Sequence, residues 1–139
     1  MDDKSVILNF IKKHNVGVIA TVDEKSNPES AVMEFGETET FELIFDAYST
    51  SRKVKNIKQN NNVCFAIGGD EKETVQYEGK AFELAGEELI KYQEIYFKKI
   101  PEARKWSKEP EIVFFKVSPS WIRYTDLSKY PWNIKEIKF

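Results

Sequence analysis

The sequence predicts a mainly β fold, a small antiparallel sheet that curves into a closed or split barrel with a few flanking helices. Three observations point to it. The chain carries six or seven β-branched or aromatic segments of strand length,. Most of the links between them are hairpin-length turns, which join antiparallel neighbours. With 139 residues, 41% of them hydrophobic, the chain has the size and apolar content of one domain covering residues 1–139,.

The first part of the chain predicts a helix and then three strands. Asp2 and Asp3 can cap a helix whose apolar side chains recur on one face,. Segments 16–22 and 30–35 flank a turn rich in Asp, Ser, Asn and Pro, and they predict a β-hairpin,. Segment 40–45 places its aromatic and aliphatic side chains on alternate positions and predicts the third strand,.

The second part predicts two more helices and three more strands. These elements follow in order: a short helix over 52–59, strands over 63–67 and 74–84, a helix from Gly86 to the residue before Pro101, and a strand over 112–117. Gly79 interrupts the longest strand and predicts a bulge or bend in a curved sheet. Pro119 is expected to interrupt the last strand, after which 121–124 continues in the same direction. The tail from Asp126 onward shows no clear period.

The composition excludes several classes of function. Lys and Arg number 21 against 23 Asp and Glu, whereas a binder of duplex DNA normally carries a basic excess,. The single Cys cannot form an intrachain disulfide or a Cys-cluster zinc site, and it fits a reducing compartment,. An acidic start and the lack of a long apolar run argue against a signal peptide and a membrane span,. We therefore expect a cytoplasmic protein without a metal site, a nucleic-acid partner or a membrane partner.

The segment 49–58 is the most informative one for function. Hydroxyl residues stand at the predicted start of the short helix, and Arg52 and Lys53 follow at once. A helix N-terminus presents free N–H groups and the positive end of a dipole, while Arg adds a forked donor and Lys a point charge. The segment therefore predicts a phosphate site, with a Ser-capped surface helix carrying solvated basic residues as the alternative.

Four other residues of chemical interest have structural explanations. His14 closes the first helix, where an imidazolium favours the negative end of the dipole,. Cys64 lies inside an apolar strand and is expected to be a buried, inert thiol,. Glu34 and Glu78 are strand carboxylates, for which solvent-facing positions are the ordinary explanation. No nucleotide-binding glycine motif, nucleophile elbow or zinc spacing is present, so no catalytic residue can be named,.

Three blocks of the sequence, 17–35, 43–63 and 75–84, resemble the pyridoxamine 5'-phosphate oxidase-like FMN-binding split barrels. The middle block is the most specific. Its run Ser51-Arg52-Lys53 precedes a short helix, an Asn-rich turn and a strand, as in members of that family. With the closing strand, the blocks cover most of the chain.

The resemblance implies a six-stranded antiparallel split barrel that forms a homodimer, with two FMN molecules in clefts between the subunits. Each subunit would supply residues beside the flavin ring and residues near the phosphate, and the partner chain would add one more strand. The implied residues are Ala31, Val32, Met33 and Glu34 beside the ring, Asp46, Ala47, Ser51, Arg52 and Lys53 near the phosphate, and Thr74 and Gln76 from the partner. The flavin itself would perform the redox chemistry.

Three departures from the family pattern shape the expected activity. Ala47 stands where many relatives carry a hydroxyl residue, and Ala31 stands where pyridoxamine 5'-phosphate oxidases carry a basic one. The C-terminal extension that holds the substrate phosphate in those oxidases is not recognisable here. We therefore expect an FMN-binding protein and small flavin-dependent oxidoreductase or reductase, rather than a true pyridoxamine 5'-phosphate oxidase.

Two other function classes compete with that hypothesis. The first is a non-catalytic carrier or sensor of a flavin, a deazaflavin, haem or a pyridoxal-type ligand, which Ala31 and Ala47 favour. The second is an oligonucleotide-binding barrel that would use Lys53, Lys55 and Lys58. The isoelectric point of about 5.6 counts against the second,.

Overall fold

The computed structural model describes all 139 residues and contains eight strands, three α-helices and a short 3₁₀ helix. In chain order these are α1 (Asp3–Lys12), β1 (Val16–Val22), β2 (Pro28–Glu34), β3 (Gly36–Glu37), β4 (Leu43–Tyr48), α2 (Arg52–Gln59), β5 (Asn62–Gly68), β6 (Glu73–Glu83), α3 (Gly86–Lys99), the 3₁₀ helix (Pro101–Lys105), β7 (Ile112–Asp126) and β8 (Asn133–Lys138). None of the helices has both the length and the apolar character needed to cross a membrane.

The strands form one antiparallel sheet in the order β2-β1-β5-β6-β7-β4-β3, with β8 paired to β7 outside this path. Its two edge strands, β2 and β3, are consecutive in the chain and are separated only by the buried Phe35. Because one residue cannot bridge the width of a flat sheet, the sheet must curl until its edges meet. The predicted barrel class is confirmed, with eight strands rather than six because the short β3 and the tail strand β8 are added.

Strand β7 is 15 residues long and branches along one side. Strand β6 pairs with it along its other side, whereas β4 pairs only with 112–117 and β8 only with 121–126. Pro119 was expected to interrupt this strand, and that expectation is wrong. It lies in the gap between the β4 and β8 pairings, where the missing N–H of a proline costs no ladder hydrogen bond on that side.

The irregularity predicted at Gly79 is present. The register between β6 and β7 shifts between Glu78 and Gly79, which leaves Ser120 as the extra residue on β7,. A Cβ atom on Gly79 would lie 2.3 Å from the carbonyl oxygen of Ser118. The glycine is therefore required by the close approach of the two backbones.

Strand β4 separates two hydrophobic cores. Leu43 and Phe45 point into the barrel, where Phe45 stacks on Phe115 with ring centroids 5.2 Å apart. Ile44 points the opposite way, into a second cluster that α3 and the 3₁₀ helix cover, including Tyr96. Because successive side chains of a strand alternate between faces, neighbouring residues at the end of β4 also enter different environments.

The C-terminal tail, which shows no period in the sequence, forms β8. Six residues of this strand pair with β7, from Asn133 opposite Asp126 to Lys138 opposite Trp121. Only Ile137 is buried, and it joins the barrel core with an exposed fraction of 6%. A strand that buries one residue in six carries almost no hydrophobic alternation, which explains why the sequence pattern does not reveal it.

Candidate functional site

A cleft of about 160 Å³ opens between β1, β2 and the beginning of α2. We call it the α2 cleft, and its lining residues are Ile19, Thr21, Glu29, Ser30, Ala31, Arg52 and Lys53. The hairpin β1–β2 and the first turn of α2 thus bring Ala31 beside the basic pair. Of the predicted site residues, these three line the α2 cleft together within one chain.

Ser51 is the N-cap residue of α2, but its side chain does not make the usual capping hydrogen bond. Its backbone is extended, yet its hydroxyl makes no hydrogen bond to the first turn of the helix. The Oγ atom of Ser51 is buried and has no hydrogen-bond partner in the chain. A buried polar atom without a partner costs free energy. A free hydroxyl next to Arg52, Lys53 and a helix N-terminus is a donor set that fits a phosphate group.

A carboxylate is built into the same cleft. Glu29 Oε2 lies 3.2 Å from Arg52 Nη1, and Glu29 Oε1 accepts a 2.8 Å hydrogen bond from Asn56 Nδ2. The same Asn56 amide nitrogen donates to Thr21 Oγ1 at 3.0 Å. Sequence reasoning missed Glu29 and Asn56. The parity of β2, which puts Glu29 on the same face as Ala31, is the pattern that could have revealed the first of them.

The four site residues predicted on β2 divide between the two faces of the strand. Ala31 and Met33 pack against the barrel core, and Ala31 also lines the α2 cleft. Val32 points outward with 72% of its surface exposed. Burial raises the pKa of Glu34, and the charges of Glu102 and then Asp46 raise it further.

The two site residues predicted at the end of β4 also lie on opposite faces. Ala47 is buried in the barrel core with 7% exposure. Asp46 faces the second cluster, where its carboxylate accepts hydrogen bonds from Trp106 Nε1 at 2.8 Å and Tyr96 Oη at 3.3 Å. Neither residue lines the α2 cleft. The charge of Lys53 makes the smallest of the contributions that lower the pKa of Asp46.

A family model described as pyridoxamine 5'-phosphate oxidase matches residues 4–126. The chain belongs to this family. Among solved structures, General Stress Protein 26 from Bacillus anthracis has a TM-score of 0.78 at 24% identity, with 100% of both chains covered. A pyridoxamine 5'-phosphate oxidase-related, FMN binding protein from Nostoc punctiforme has a TM-score of 0.69 at 12% identity, over 97% of this chain and 95% of that chain.

A heme binding protein from Mycobacterium smegmatis has the same fold, with a TM-score of 0.87 at 13% identity over 99% of this chain. This chain spans only 58% of the length of that protein. No curated protein matches the chain. At these low identities, the likeness to the solved structures shows a shared fold and nothing more.

One side of the sheet in this pyridoxamine 5'-phosphate oxidase family member carries exposed apolar side chains among polar ones. Register places four outward side chains in one row across the strands β2, β1, β5 and β6: Val32, Val18, Ala66 and Gln76. We call this side the outer face. It also exposes Val16, and it carries a hollow of about 190 Å³ to which Gln76 and Trp121 contribute. Thr74 and Gln76, the site residues predicted on β6, do not line the α2 cleft of their own chain.

The predictions for Cys64 and His14 have different outcomes in this member of the family. Cys64 is exposed, so the expectation of a buried thiol is wrong: β5 alternates, and Val63 and Phe65 take the inward positions. Partial burial and then the charge of Glu78 raise the pKa of the Cys64 thiol, which keeps it protonated at neutral pH,. The His14 ring packs on Phe10 at 4.4 Å, and its Nδ1 lies 2.9 Å from the Phe10 carbonyl oxygen. These contacts agree with the structural role predicted for His14.

Asp46 is expected to titrate above its ordinary pKa of 3.8 in the folded protein, because burial outweighs the hydrogen bonds from Trp106 and Tyr96,. Between the two pKa values the folded state holds more protons, so this group lowers stability as the pH rises through that window. Lys53→Ala should raise the pKa of Asp46 further, whereas Lys55→Ala, on an exposed residue, should not. A ¹³C NMR titration of the side-chain carboxyl measures both. A pKa at or below 3.8 would contradict the burial of Asp46.

Proposed function

We propose that this chain binds FMN with its phosphate in the α2 cleft and acts as a small flavin-dependent oxidoreductase, not as a true pyridoxamine 5'-phosphate oxidase. The observation that carries the proposal is that Ala31, Arg52 and Lys53 line one cleft. The preceding residue Ser51 does not line the cleft, but its buried hydroxyl has no partner in the chain. Membership of the family and the fold shared with an FMN binding protein from Nostoc punctiforme support it.

Each group at the start of α2 has a distinct part in holding the phosphate. Arg52 offers a forked donor, Lys53 a point charge and Ser51 a hydroxyl, while the first-turn N–H groups of α2 add the positive end of the helix dipole. A bound flavin would supply the electron and hydride transfer. The chain would bind and orient it, and no residue is assigned a catalytic role.

The proposal includes a homodimer. A cleft of about 160 Å³ is smaller than the roughly 300–1,000 Å³ typical of small-molecule sites, so a second surface is needed to enclose the ring of a flavin,. The outer face exposes Val16, Val18 and Val32, which is the kind of apolar surface that a subunit interface covers,. In that assembly Thr74 and Gln76 of one chain would approach the flavin of the other.

The first test is an absorption spectrum of the purified protein after incubation with FMN and desalting, combined with sedimentation velocity. We expect retained flavin bands and a dimer. Arg52→Ala and Lys53→Ala should each weaken FMN binding about tenfold to a hundredfold, because each removes a charge-assisted hydrogen bond of about 1.5–3 kcal/mol. Lys58→Ala, on an exposed residue in the last turn of α2, serves as the control. A colourless monomer after reconstitution would contradict the proposal.

A non-catalytic carrier or sensor of a flavin, a deazaflavin, haem or a pyridoxal-type ligand is the second candidate. The ion pair between Arg52 and Glu29 favours the ligands of this class that carry no phosphate, such as haem, because it engages one of the two basic residues that would bind a phosphate group. Bound flavin that neither NADH nor NADPH reduces would select this candidate, and steady turnover would select the oxidoreductase. The same proposal assigns the protein to the cytoplasm, where its one exposed thiol would stay reduced,.

A further inference from the structure

We infer that Glu29 is a competing anion inside the α2 cleft, which engages Arg52 and so limits the affinity of the cleft for a phosphate group. The consequence for flavins rests on the function proposed above, whereas the consequence for phosphate itself depends only on the cleft. Glu29 is thereby a specificity-determining residue: it lowers the advantage of a phosphorylated ligand over the same ligand without its phosphate.

The carboxylate of Glu29 is held in place independently of any ligand. Its Oε1 atom accepts the 2.8 Å hydrogen bond from Asn56 Nδ2, and Asn56 is 6% exposed. The Asn56 amide is itself fixed by the 3.0 Å hydrogen bond to Thr21, which is 2% exposed. The Glu29 side chain is 20% exposed, against 76% for Arg52. The negative charge is therefore the fixed member of the ion pair, and the guanidinium is the accessible one.

One of the two basic residues of the cleft already faces a carboxylate of the chain itself. Arg52 faces Glu29 at 3.2 Å, and its charge also reaches Asp23, where it adds to the backbone hydrogen bond from Asn27 that chiefly lowers the pKa of that carboxyl. Lys53 forms no ion pair, and its charge makes only the smallest of the contributions that lower the pKa of Asp46. A phosphate dianion entering the cleft would meet the fixed carboxylate of Glu29, and like charges at this range repel each other.

Glu29 and a ligand phosphate compete for the same N–H donors of Arg52. The Arg52 guanidinium has five N–H donors in a fixed fork, and a phosphate gains most when it is held by two of them at once. The Nη1 atom of Arg52 already forms the ion pair with Glu29. Bidentate binding of a phosphate at that end of the fork requires Arg52 to leave the carboxylate, which would remain partly buried without its partner. We therefore expect Glu29 to reduce the preference of this chain for FMN over riboflavin, and its neutralisation to increase that preference.

Glu29→Gln tests the inference, with inorganic phosphate as the first probe. Glutamine has the shape of glutamate and keeps the oxygen that accepts from Asn56, so the network and the fold are retained. Phosphate is titrated while the backbone N–H signals of Arg52 and Lys53 are followed by ¹H–¹⁵N NMR. We expect phosphate to bind about tenfold more tightly to Glu29→Gln than to the wild type.

Two further variants separate a local effect from a change in overall charge. Glu24→Gln removes the same charge from an exposed turn residue and should leave phosphate affinity unchanged. In an Arg52→Gln background, Glu29→Gln should give a much smaller gain, because release of Arg52 supplies most of the effect and the removed like-charge repulsion only the rest. Unchanged or weaker phosphate binding in Glu29→Gln would overturn the inference. So would a gain of the same size in the Arg52→Gln background.

Flavins provide the second probe. Glu29→Gln should tighten FMN by a similar factor and leave riboflavin within about twofold, because riboflavin lacks the phosphate. Equal tightening of both flavins, or weaker FMN binding, would overturn the inference. If neither variant nor wild type binds any flavin, the proposed function fails, and the phosphate titration still decides the role of Glu29.

Discussion

Lys99→Met is expected to lower the free energy of unfolding by about 3–5 kcal/mol, because it removes one partner of a buried ion pair. The side chains of Lys99 and Glu37 are 12% and 11% exposed. Lys99 Nζ also donates to the carbonyl oxygens of Ile11 and His14, at the end of α1, and lies 4.2 Å from the centroid of the Phe35 ring. The ammonium thus ties α3 to α1 and to the strand β3. Its replacement would leave the buried carboxylate of Glu37 and the carbonyl oxygen of His14 without this donor.

Urea unfolding at neutral pH measures the effect, and the neighbouring residue provides the control. Lys98→Met changes an exposed lysine of the same helix and should cost less than about 0.5 kcal/mol,. Adding Glu37→Gln to Lys99→Met should recover part of the loss, because no charge is then left unpaired in the interior. Burial lowers the pKa of Lys99, and the hydrogen bond and the charge of Glu37 offset part of that effect. Equal unfolding free energies for Lys98→Met and Lys99→Met would contradict this role.

Ile137→Ala is expected to cost about 2–5 kcal/mol of the free energy of unfolding, as for other large-to-small changes in a core. Ile137 is 6% exposed, lies opposite the fully buried Ile122 in the β7–β8 register and belongs to the barrel core. The loss would combine the transfer free energy of the removed methyl and methylene groups with the cost of the cavity left behind.

A matched control for this prediction lies on the same strand. Ile134→Ala makes the same chemical change on a residue that is 50% exposed, and it should alter stability by less than about 0.5 kcal/mol,. Thermal and urea unfolding of both variants compare the two positions directly. If Ile137→Ala were as harmless as Ile134→Ala, β8 would not be part of the barrel core.

Most of the fold can be predicted from local patterns in the sequence. The capping residues of α1, the hairpin turn before Pro28 and the irregularity at Gly79 are all visible as residue types at particular positions. The exceptions have tertiary causes. Pro119 does not end β7 because β4 and β8 pair with different halves of that strand. Strand β8 forms because β7 has a free edge with which it can pair, and because the barrel core accommodates Ile137.

The candidate site is only partly predictable for the same reason. The run Ser51-Arg52-Lys53 predicts an anion site at the start of α2 from residue types alone, and the barrel fold brings Ala31 beside Arg52 and Lys53. The parity of β4 and of β2 separates other predicted neighbours, so that Ala47 enters the barrel core while Asp46 faces Trp106. Nothing in the sequence pairs Glu29 with Arg52, because the two residues are brought together by the packing of α2 against the β1–β2 hairpin.

The sequence by itself determined the barrel class, the order of its main elements, the family and the basic start of α2, because these follow from residue types and spacings along the chain. The tertiary structure decided which charges meet. Strand register and helix packing bring Glu29 to Arg52 and Glu37 to Lys99, over separations that no local pattern encodes. Electrostatic interactions depend on distance and burial rather than on position in the chain. The balance of charge in the α2 cleft is therefore a property of the folded molecule.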